Sequence, residues 1–174
     1  MKNILFIAIV SALVFLSACS VKYGNTMMEK GQISEESRNG NIVEKDTMAE
    51  REYGGMILAG TTTPYIEFNR DDYEKALEEN KVVLLYFYAN WCPICKAEQP
   101  EVFAAFDSLD KDNVVGFRVN YKDSDTDDFE ESLAKQYGIS YQHTKVLIKN
   151  GERVLKAPDS WDKERYIEEI NKVV

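Results

Sequence analysis

Seven consecutive apolar or aromatic residues, at positions 82–88, restrict the fold of this chain more than any other stretch. Such a run without polar alternation is typical of a central β-strand that is covered on both faces. Cys92 and Cys95 follow closely, where we predict that a helix begins, with Pro93 in its first turn. The sequence therefore predicts a buried strand that leads into a helix, with two thiols at the junction.

The position of the two cysteines predicts redox chemistry. Unpaired N–H groups and the positive end of the helix dipole favour a thiolate at Cys92. Cys95 lies three residues further on, on the same helix face, and is close enough to form a disulfide with Cys92. Thiol–disulfide exchange requires one exposed attacking sulfur, here Cys92, and one deeper resolving sulfur, here Cys95.

A structural disulfide or half of a zinc site are the alternatives for this pair. A disulfide across so short a loop removes little chain entropy, and the sequence contains no second Cys-x-x-Cys pair. These observations favour the redox interpretation.

The segment Trp91-Cys-Pro-Ile-Cys-Lys96 after an apolar strand resembles the active site of the thioredoxin superfamily. Pro100 matches the proline of the thioredoxin active-site helix, and the collinear resemblance covers roughly residues 65–174. The spacing of the two cysteines, Glu98 and Pro100 is closest to the membrane-anchored, extracytoplasmic thioredoxins of the TlpA/ResA type. The resemblance implies a protein thiol–disulfide oxidoreductase.

The predicted elements follow the order β-α-β-α-β-α-β-β-α, which is that of the thioredoxin fold. This is an α/β, thioredoxin-like fold, in which helices flank a central mixed β-sheet on both faces. The predicted strands are 65–68, 82–88, 113–120, 145–149 and 153–156; the predicted helices cover 70–79, the region after Cys92, the region up to Gln136, and 161–173.

The resemblance also implies further site residues. Thioredoxins bury an acid beneath the resolving cysteine, but this chain has Tyr86 there, and a tyrosine is a poor acid–base group at neutral pH. Glu98 matches a glutamate of the TlpA/ResA-type proteins, so we predict that it exchanges a proton with Cys95. The alternative for Glu98 is a surface charge paired with Lys96 or with the neighbours of Glu101. We predict substrate binding by Trp91, Pro93, His143 and Thr144.

His143 departs from the family pattern, because thioredoxin-like proteins usually carry a cis-proline at this position. We expect a trans peptide and a differently shaped loop here. Cys92, Cys95 and His143 could converge as three metal ligands, which resembles Sco-type copper proteins despite their wider cysteine spacing. His143 as a polar loop residue, or as a cation beside Cys92, are the other interpretations. We expect no cofactor beyond a redox-active Cys92–Cys95 disulfide, with a metal ion under the alternative.

The N-terminus predicts export. Lys2, an apolar run over 4–16 and the sequence Leu16-Ser-Ala-Cys19 resemble a lipoprotein signal, which implies a signal peptide at 1–18 and lipidation of Cys19. An ordinary secretory peptide and a retained membrane anchor are the alternatives. A flexible tether at 19–60 and a thioredoxin-like domain at 61–174 complete the predicted organisation.

Export and charge define the expected partners. The sequence contains three cysteines, and lipidation of Cys19 would leave Cys92 and Cys95 as the one possible pair. In an exported protein, this pair lies in a compartment where disulfides persist. The net charge of -9 argues against nucleic acid. We expect an extracytoplasmic, lipid-anchored protein that acts on exported proteins with thiols or disulfides, and a redox partner that recharges the pair.

Overall fold

A computed structural model describes residues 52–174, so the predicted signal peptide, Cys19 and most of the predicted tether lie outside the described residues. The described part is an α/β fold with one mixed sheet and four helices, as predicted, but the sheet has six strands where five were predicted. Its elements are β1 Ile57–Ala59, β2 Tyr65–Glu67, α1 Arg70–Glu78, β3 Val82–Tyr88, α2 Pro93–Ser108, β4 Val114–Asn120, α3 Asp128–Gln136, β5 Thr144–Lys149, β6 Glu152–Ala157 and α4 Lys163–Asn171.

The predicted central strand, β3, lies in the middle of the sheet. The strand order is β1-β2-β4-β3-β5-β6, and β3 pairs with β4 in parallel and with β5 antiparallel. Six of its seven residues are buried, because helices cover both of its faces. The absence of polar alternation in this run is thereby explained.

The two faces of β3 contribute to two different cores. Val83, Leu85 and Phe87 pack on one face with residues of α1 and α3. Leu84 and Tyr86 pack on the other face with residues of α2 and α4. Tyr86 therefore lies on the same side of the sheet as the helix that begins after Cys92.

The sheet begins earlier than expected, because β1 adds an antiparallel strand to β2 within the end of the predicted tether. Tyr53 is buried in the core beside α1. The backbone N–H groups of Gly54 and Gly55 donate to the Asp72 carboxylate at 2.9 and 2.7 Å. Side-chain contacts with α1 therefore hold this segment on the domain, although it belongs to the predicted tether. Within residues 52–174, no helix has the length and apolar character needed to cross a membrane.

Gly116 of β4 permits the close approach of α2 to the sheet. A Cβ atom there would lie 2.4 Å from Phe106 Cζ and 2.7 Å from Tyr65 Cδ2, both in buried rings. We expect Gly116→Ala to lower the free energy of unfolding by about 1–3 kcal/mol, because buried rings must shift. Urea unfolding would measure this loss.

Gly54→Ala is the matched control, since its new Cβ would meet nothing closer than 3.8 Å. If the two variants were equally stable, the proposed close packing at Gly116 would be wrong.

Candidate active site

Cys92 is the N-cap residue of α2, and Pro93 occupies the first turn, as predicted. The Cys92 Sγ accepts a hydrogen bond from the Cys95 backbone N–H at 3.1 Å. Both cysteines are free thiols in this structure. The helix N-terminus thus directs a backbone donor at the sulfur that we expect to attack, and this contact stabilises negative charge there.

The expectation of an exposed attacking sulfur is wrong for this dithiol state. Cys92 is only 2% exposed and Cys95 is fully buried. The reason is that the Cys92 side chain turns toward the helix N-terminus and packs with Ala89 and Tyr88. Its neighbours Trp91 and Ile94 are more than half exposed, so the protein surface beside Cys92 remains open.

Burial raises the pKa of the Cys95 thiol to about 12. Its contact with Cys92 acts in the same direction, whereas the Ala89 backbone and the Tyr86 hydroxyl oppose it. Cys95 is therefore protonated at neutral pH. To attack as a thiolate, it must first give up this proton.

Glu98 projects from α2 into the interior, so the alternative of a surface ion pair with Lys96 is wrong. Glu98 is 4% exposed. Its Oε1 accepts hydrogen bonds from Tyr166 Oη at 2.6 Å and from the Trp161 backbone N–H at 3.0 Å. The same oxygen lies 2.7 Å from Lys145 Nζ. A buried carboxylate thus connects α2, β5 and the start of α4.

Lys145 was not predicted as a site residue, although it is fully buried on β5. Its ammonium group also donates to the Asp159 carbonyl at 2.6 Å. Burial lowers the pKa of Lys145, and the contact with Glu98 opposes this shift. The sequence signal was weak, because β5 carries a second lysine, Lys149, and only the sheet register places Lys145 opposite Tyr86 of β3.

His143 occupies the loop before β5 with a left-handed backbone, at φ 70°. Histidine is among the residues that adopt this conformation more readily. The described residues contain no cis peptide bond, in agreement with the expected trans loop. The His143 backbone N–H donates to the Phe87 carbonyl at 2.6 Å, which ties the loop to the end of β3.

The His143 ring is buried and has polar neighbours at both nitrogens. Nδ1 lies 3.2 Å from Tyr86 Oη and 3.1 Å from Glu98 Oε2, although the latter contact is not aligned as a hydrogen bond. Nε2 lies 3.0 Å from Ser160 Oγ. Burial and the neighbouring Lys145 lower the pKa of His143. The ring is therefore neutral at neutral pH.

The predicted convergence of Cys92, Cys95 and His143 as metal ligands is not found. Among residues 52–174, no group of three or more His, Cys, Asp or Glu side chains is arranged to hold a metal ion. The physical reason is that both imidazole nitrogens face Tyr86, Glu98 and Ser160. The geometry gives the metal alternative no support.

The other predicted site residues lie around the cysteines with different exposure. Trp91 is exposed and anchored by its Nε1, which donates to the Lys122 carbonyl at 3.0 Å. Pro93 is exposed at the start of α2. Thr144 is buried, and its hydroxyl donates to the Tyr141 carbonyl at 3.0 Å. Their contacts with a substrate remain a prediction.

A groove of about 300 Å³ lies between α2 and the segment that precedes α4. Its lining includes Ile94, Glu98, Ser160 and Asp162. The groove therefore brings solvent close to the buried polar cluster.

A Cys-x-x-Cys pair at the start of a helix, after the central strand of a mixed sheet, defines a thioredoxin-like protein. The thioredoxin family profile matches residues 64–172. This match covers more than half of the chain, which therefore belongs to the thioredoxin family.

Curated relatives agree with this assignment. The chain is 36% identical over 88 residues to thioredoxin 2 of Plasmodium berghei, covering 50% of this chain and 52% of the relative. It is 35% identical over 83 residues to thioredoxin H4 of Arabidopsis thaliana, covering 48% and 64%. It is 31% identical over 81 residues to protein disulfide isomerase-like 1-4 of the same plant, covering 47% and 13%. The matches thus span less than two thirds of each of these relatives.

Solved structures agree as well. A mutant thioredoxin from Halobacterium salinarum superposes with a TM-score of 0.52 at 25% identity, covering 66% of this chain and 94% of that chain. Thioredoxin from Schistosoma mansoni superposes with a TM-score of 0.50 at 27% identity, covering 67% and 100%. Both comparisons support the thioredoxin-like fold.

The buried Glu98–Lys145 pair predicts a non-additive effect on stability. Glu98→Gln or Lys145→Met alone leaves a buried charge without its partner, which typically costs about 3–5 kcal/mol. We expect the double variant to lose clearly less than the sum of the two single losses. Urea unfolding of the three variants would measure this difference.

Glu74→Gln, which breaks the exposed Arg70–Glu74 pair, is the control and should change stability by less than about 1 kcal/mol. Strictly additive losses for Glu98 and Lys145 would show that the two charges do not depend on each other.

Proposed function

We propose that this protein is a membrane-tethered, extracytoplasmic thiol–disulfide oxidoreductase that acts through the Cys92–Cys95 redox pair. The observation that carries the proposal is the position of Cys92 as the N-cap of α2, with its sulfur 3.1 Å from the Cys95 backbone nitrogen. Membership of the thioredoxin family supports the same chemistry.

The reaction has two sulfur exchanges. In the reducing direction, the Cys92 thiolate attacks a substrate disulfide, forms a mixed disulfide, and releases one substrate sulfur as a thiolate that takes up a proton. Cys95 then loses its proton and attacks the Cys92 sulfur, which releases the second substrate sulfur. The substrate gains two electrons, and the protein is left with a Cys92–Cys95 disulfide. The oxidising direction runs these steps in reverse.

Glu98 keeps its proposed active-site role, and the buried contacts define how it would act. The carboxylate holds Lys145, whose ammonium group interacts favourably with a charged Cys95. Glu98 Oε2 also lies beside the His143 ring. Glu98 would therefore influence the protonation of Cys95 through these two neighbours.

The surface next to Cys92 suits a polypeptide substrate. Trp91 and Ile94 are each more than half exposed, and Pro93, which lies between them in the chain, is exposed as well. Apolar side chains around a reactive sulfur provide a surface on which an unfolded or extended segment can pack. We propose exported proteins with thiols or disulfides as substrates, and a separate redox partner that recharges the pair.

The extracytoplasmic location and the TlpA/ResA-type assignment rest on the sequence. Leu16-Ser-Ala-Cys19 supports lipidation of Cys19, and the Cys92-x-x-Cys95-x-x-Glu98 spacing supports the subgroup. The buried position of Glu98 is in accord with an active-site glutamate.

Trapping the mixed disulfide tests the redox function. We expect Cys95→Ser to accumulate covalent complexes with exported proteins, because the resolving thiol is missing. Cys92→Ser should form none, because the attacking thiol is missing. Non-reducing electrophoresis of cells that express each full-length variant would detect the complexes.

The double variant Cys92→Ser/Cys95→Ser is the control for adventitious disulfides. Equal trapping by Cys92→Ser and Cys95→Ser would contradict the assignment of Cys92 as the nucleophile.

Replacing the proposed lipid attachment site tests the membrane anchor. We expect Cys19→Ser to abolish incorporation of a labelled fatty acid and to move the protein out of the membrane fraction, since no thiol remains at position 19. Ser20→Ala, beside the same site, should keep both properties. Unchanged lipid labelling in Cys19→Ser would show that the anchor is elsewhere or of another kind.

A further inference from the structure

Tyr86 provides the first contact between the buried thiol and the polar cluster. The residue is fully buried on the α2 side of the sheet. Its hydroxyl lies near enough to the Cys95 sulfur to favour the Cys95 thiolate. The same hydroxyl lies 3.2 Å from His143 Nδ1. One hydroxyl group thus lies between the reacting sulfur and the imidazole.

The imidazole continues this connection to the protein surface. His143 Nε2 lies 3.0 Å from Ser160 Oγ. Ser160 is exposed and lines the groove between α2 and the segment before α4. Two hydrogen-bond contacts therefore connect the tyrosine beside a fully buried thiol to a serine at the solvent-filled groove.

The neighbouring charges favour one direction of the hydrogen bonds when Cys95 is a thiolate. Glu98 Oε2 lies 3.1 Å from Nδ1, and a carboxylate beside this atom favours the tautomer with the proton on Nδ1. In that tautomer, Nδ1–H donates to Tyr86 Oη, Tyr86 O–H donates to the Cys95 sulfur, and Nε2 accepts from Ser160. Every donor in the chain then has an acceptor.

We propose that Tyr86, His143 and Ser160 form a proton path between Cys95 and solvent, a role that rests on the proposed oxidoreductase function. Tyr86 contacts the reacting sulfur, whereas His143 and Ser160 act through Tyr86. The left-handed His143 backbone and its N–H contact with Phe87 hold the ring in this path.

The path moves one proton from solvent to Cys95, or one proton from Cys95 to solvent. To protonate the Cys95 thiolate, Tyr86 gives its proton to the sulfur and receives the proton of Nδ1. The Ser160 hydroxyl then gives a proton to Nε2 and takes one from water. When Cys95 is deprotonated before it attacks Cys92, these transfers reverse. The imidazole changes tautomer in either case, and no oxidant or reductant is consumed by the transfer itself.

The titratable groups around His143 come from three secondary-structure elements and one connecting segment. Tyr86 lies on β3, Glu98 on α2, Lys145 on β5, and Asp159 in the segment between β6 and α4. Burial and Lys145 disfavour the imidazolium, while Glu98 and Asp159 favour it. A neutral ring that can accept and release a proton at neutral pH is what such a path requires.

The rate of mixed-disulfide resolution tests the proposal. Full-length protein would be mixed with a small disulfide substrate, and stopped-flow measurement would give the rate at which Cys95 attacks the mixed disulfide. The measurement would cover about pH 6 to 9, because general acid–base catalysis operates near neutral pH. We expect Tyr86→Phe and His143→Asn to slow this step by about tenfold or more at neutral pH. Asparagine is chosen because it tolerates the left-handed backbone.

The pH profile separates a proton path from a structural role. Without the path, Cys95 must lose its proton directly to hydroxide, so the rate in both variants should rise more steeply with pH than in the unmodified protein. Tyr73→Phe is the matched control, because it removes a buried tyrosine hydroxyl that contacts Tyr137 Oη at 2.9 Å on the opposite face of the sheet. It should keep the unmodified rate and profile.

A second measurement distinguishes failure of the path from failure of the proposed function. Hydrogen–deuterium exchange of the Cys95 thiol, followed by its Raman S–H band in the Cys92→Ser background, needs no substrate. We expect Tyr86→Phe and His143→Asn to slow this exchange about tenfold or more, in line with the loss of a general acid–base group. Slower exchange without any mixed disulfide in the unmodified protein would support the path and overturn the oxidoreductase function. Unchanged exchange, or slower resolution with an unchanged pH profile, would overturn the path.

Discussion

The ion pair between Glu98 and Lys145, at 2.7 Å in a fully buried environment, is the contact on which the active-site half of this domain depends. Neither charge can be buried without the other except at high cost. The carboxylate also accepts hydrogen bonds from Tyr166 and the Trp161 backbone, so the pair joins α2 and β5 to the beginning of α4. The cysteines lie at the N-terminus of the same α2 helix, and this pair fixes its position against the sheet.

The two cysteines differ in how their surroundings affect the charged form of the sulfur. Cys92 receives a backbone hydrogen bond at the helix N-terminus, which stabilises its charged form. Cys95 has its pKa raised to about 12, and so holds its proton strongly. A fully buried thiol of this kind needs nearby groups that accept and return a proton. Tyr86, which stands where thioredoxins bury an acid, connects it to His143 and the surface.

The sequence was sufficient to predict the elements that depend on local pattern. The apolar run of β3, the cysteines at the start of α2 and the α/β fold all follow from residues close together in the chain. Lys145 and the contacts of His143 could not be predicted, because they depend on the register that places Lys145 opposite Tyr86 in β3. Strand β1 was also missed, since its three residues are too few to show a strand periodicity.

The reduction potential of the Cys92–Cys95 pair tests the central claim most directly. Full-length protein, equilibrated in thiol–disulfide buffers of known potential and then trapped, would give the ratio of dithiol to disulfide. The proposed function predicts a two-electron couple between about -270 and -120 mV, the span of known exchange proteins. A potential below about -300 mV, or thiols that do not pair at all, would contradict a redox-active pair and indicate a structural role for the cysteines.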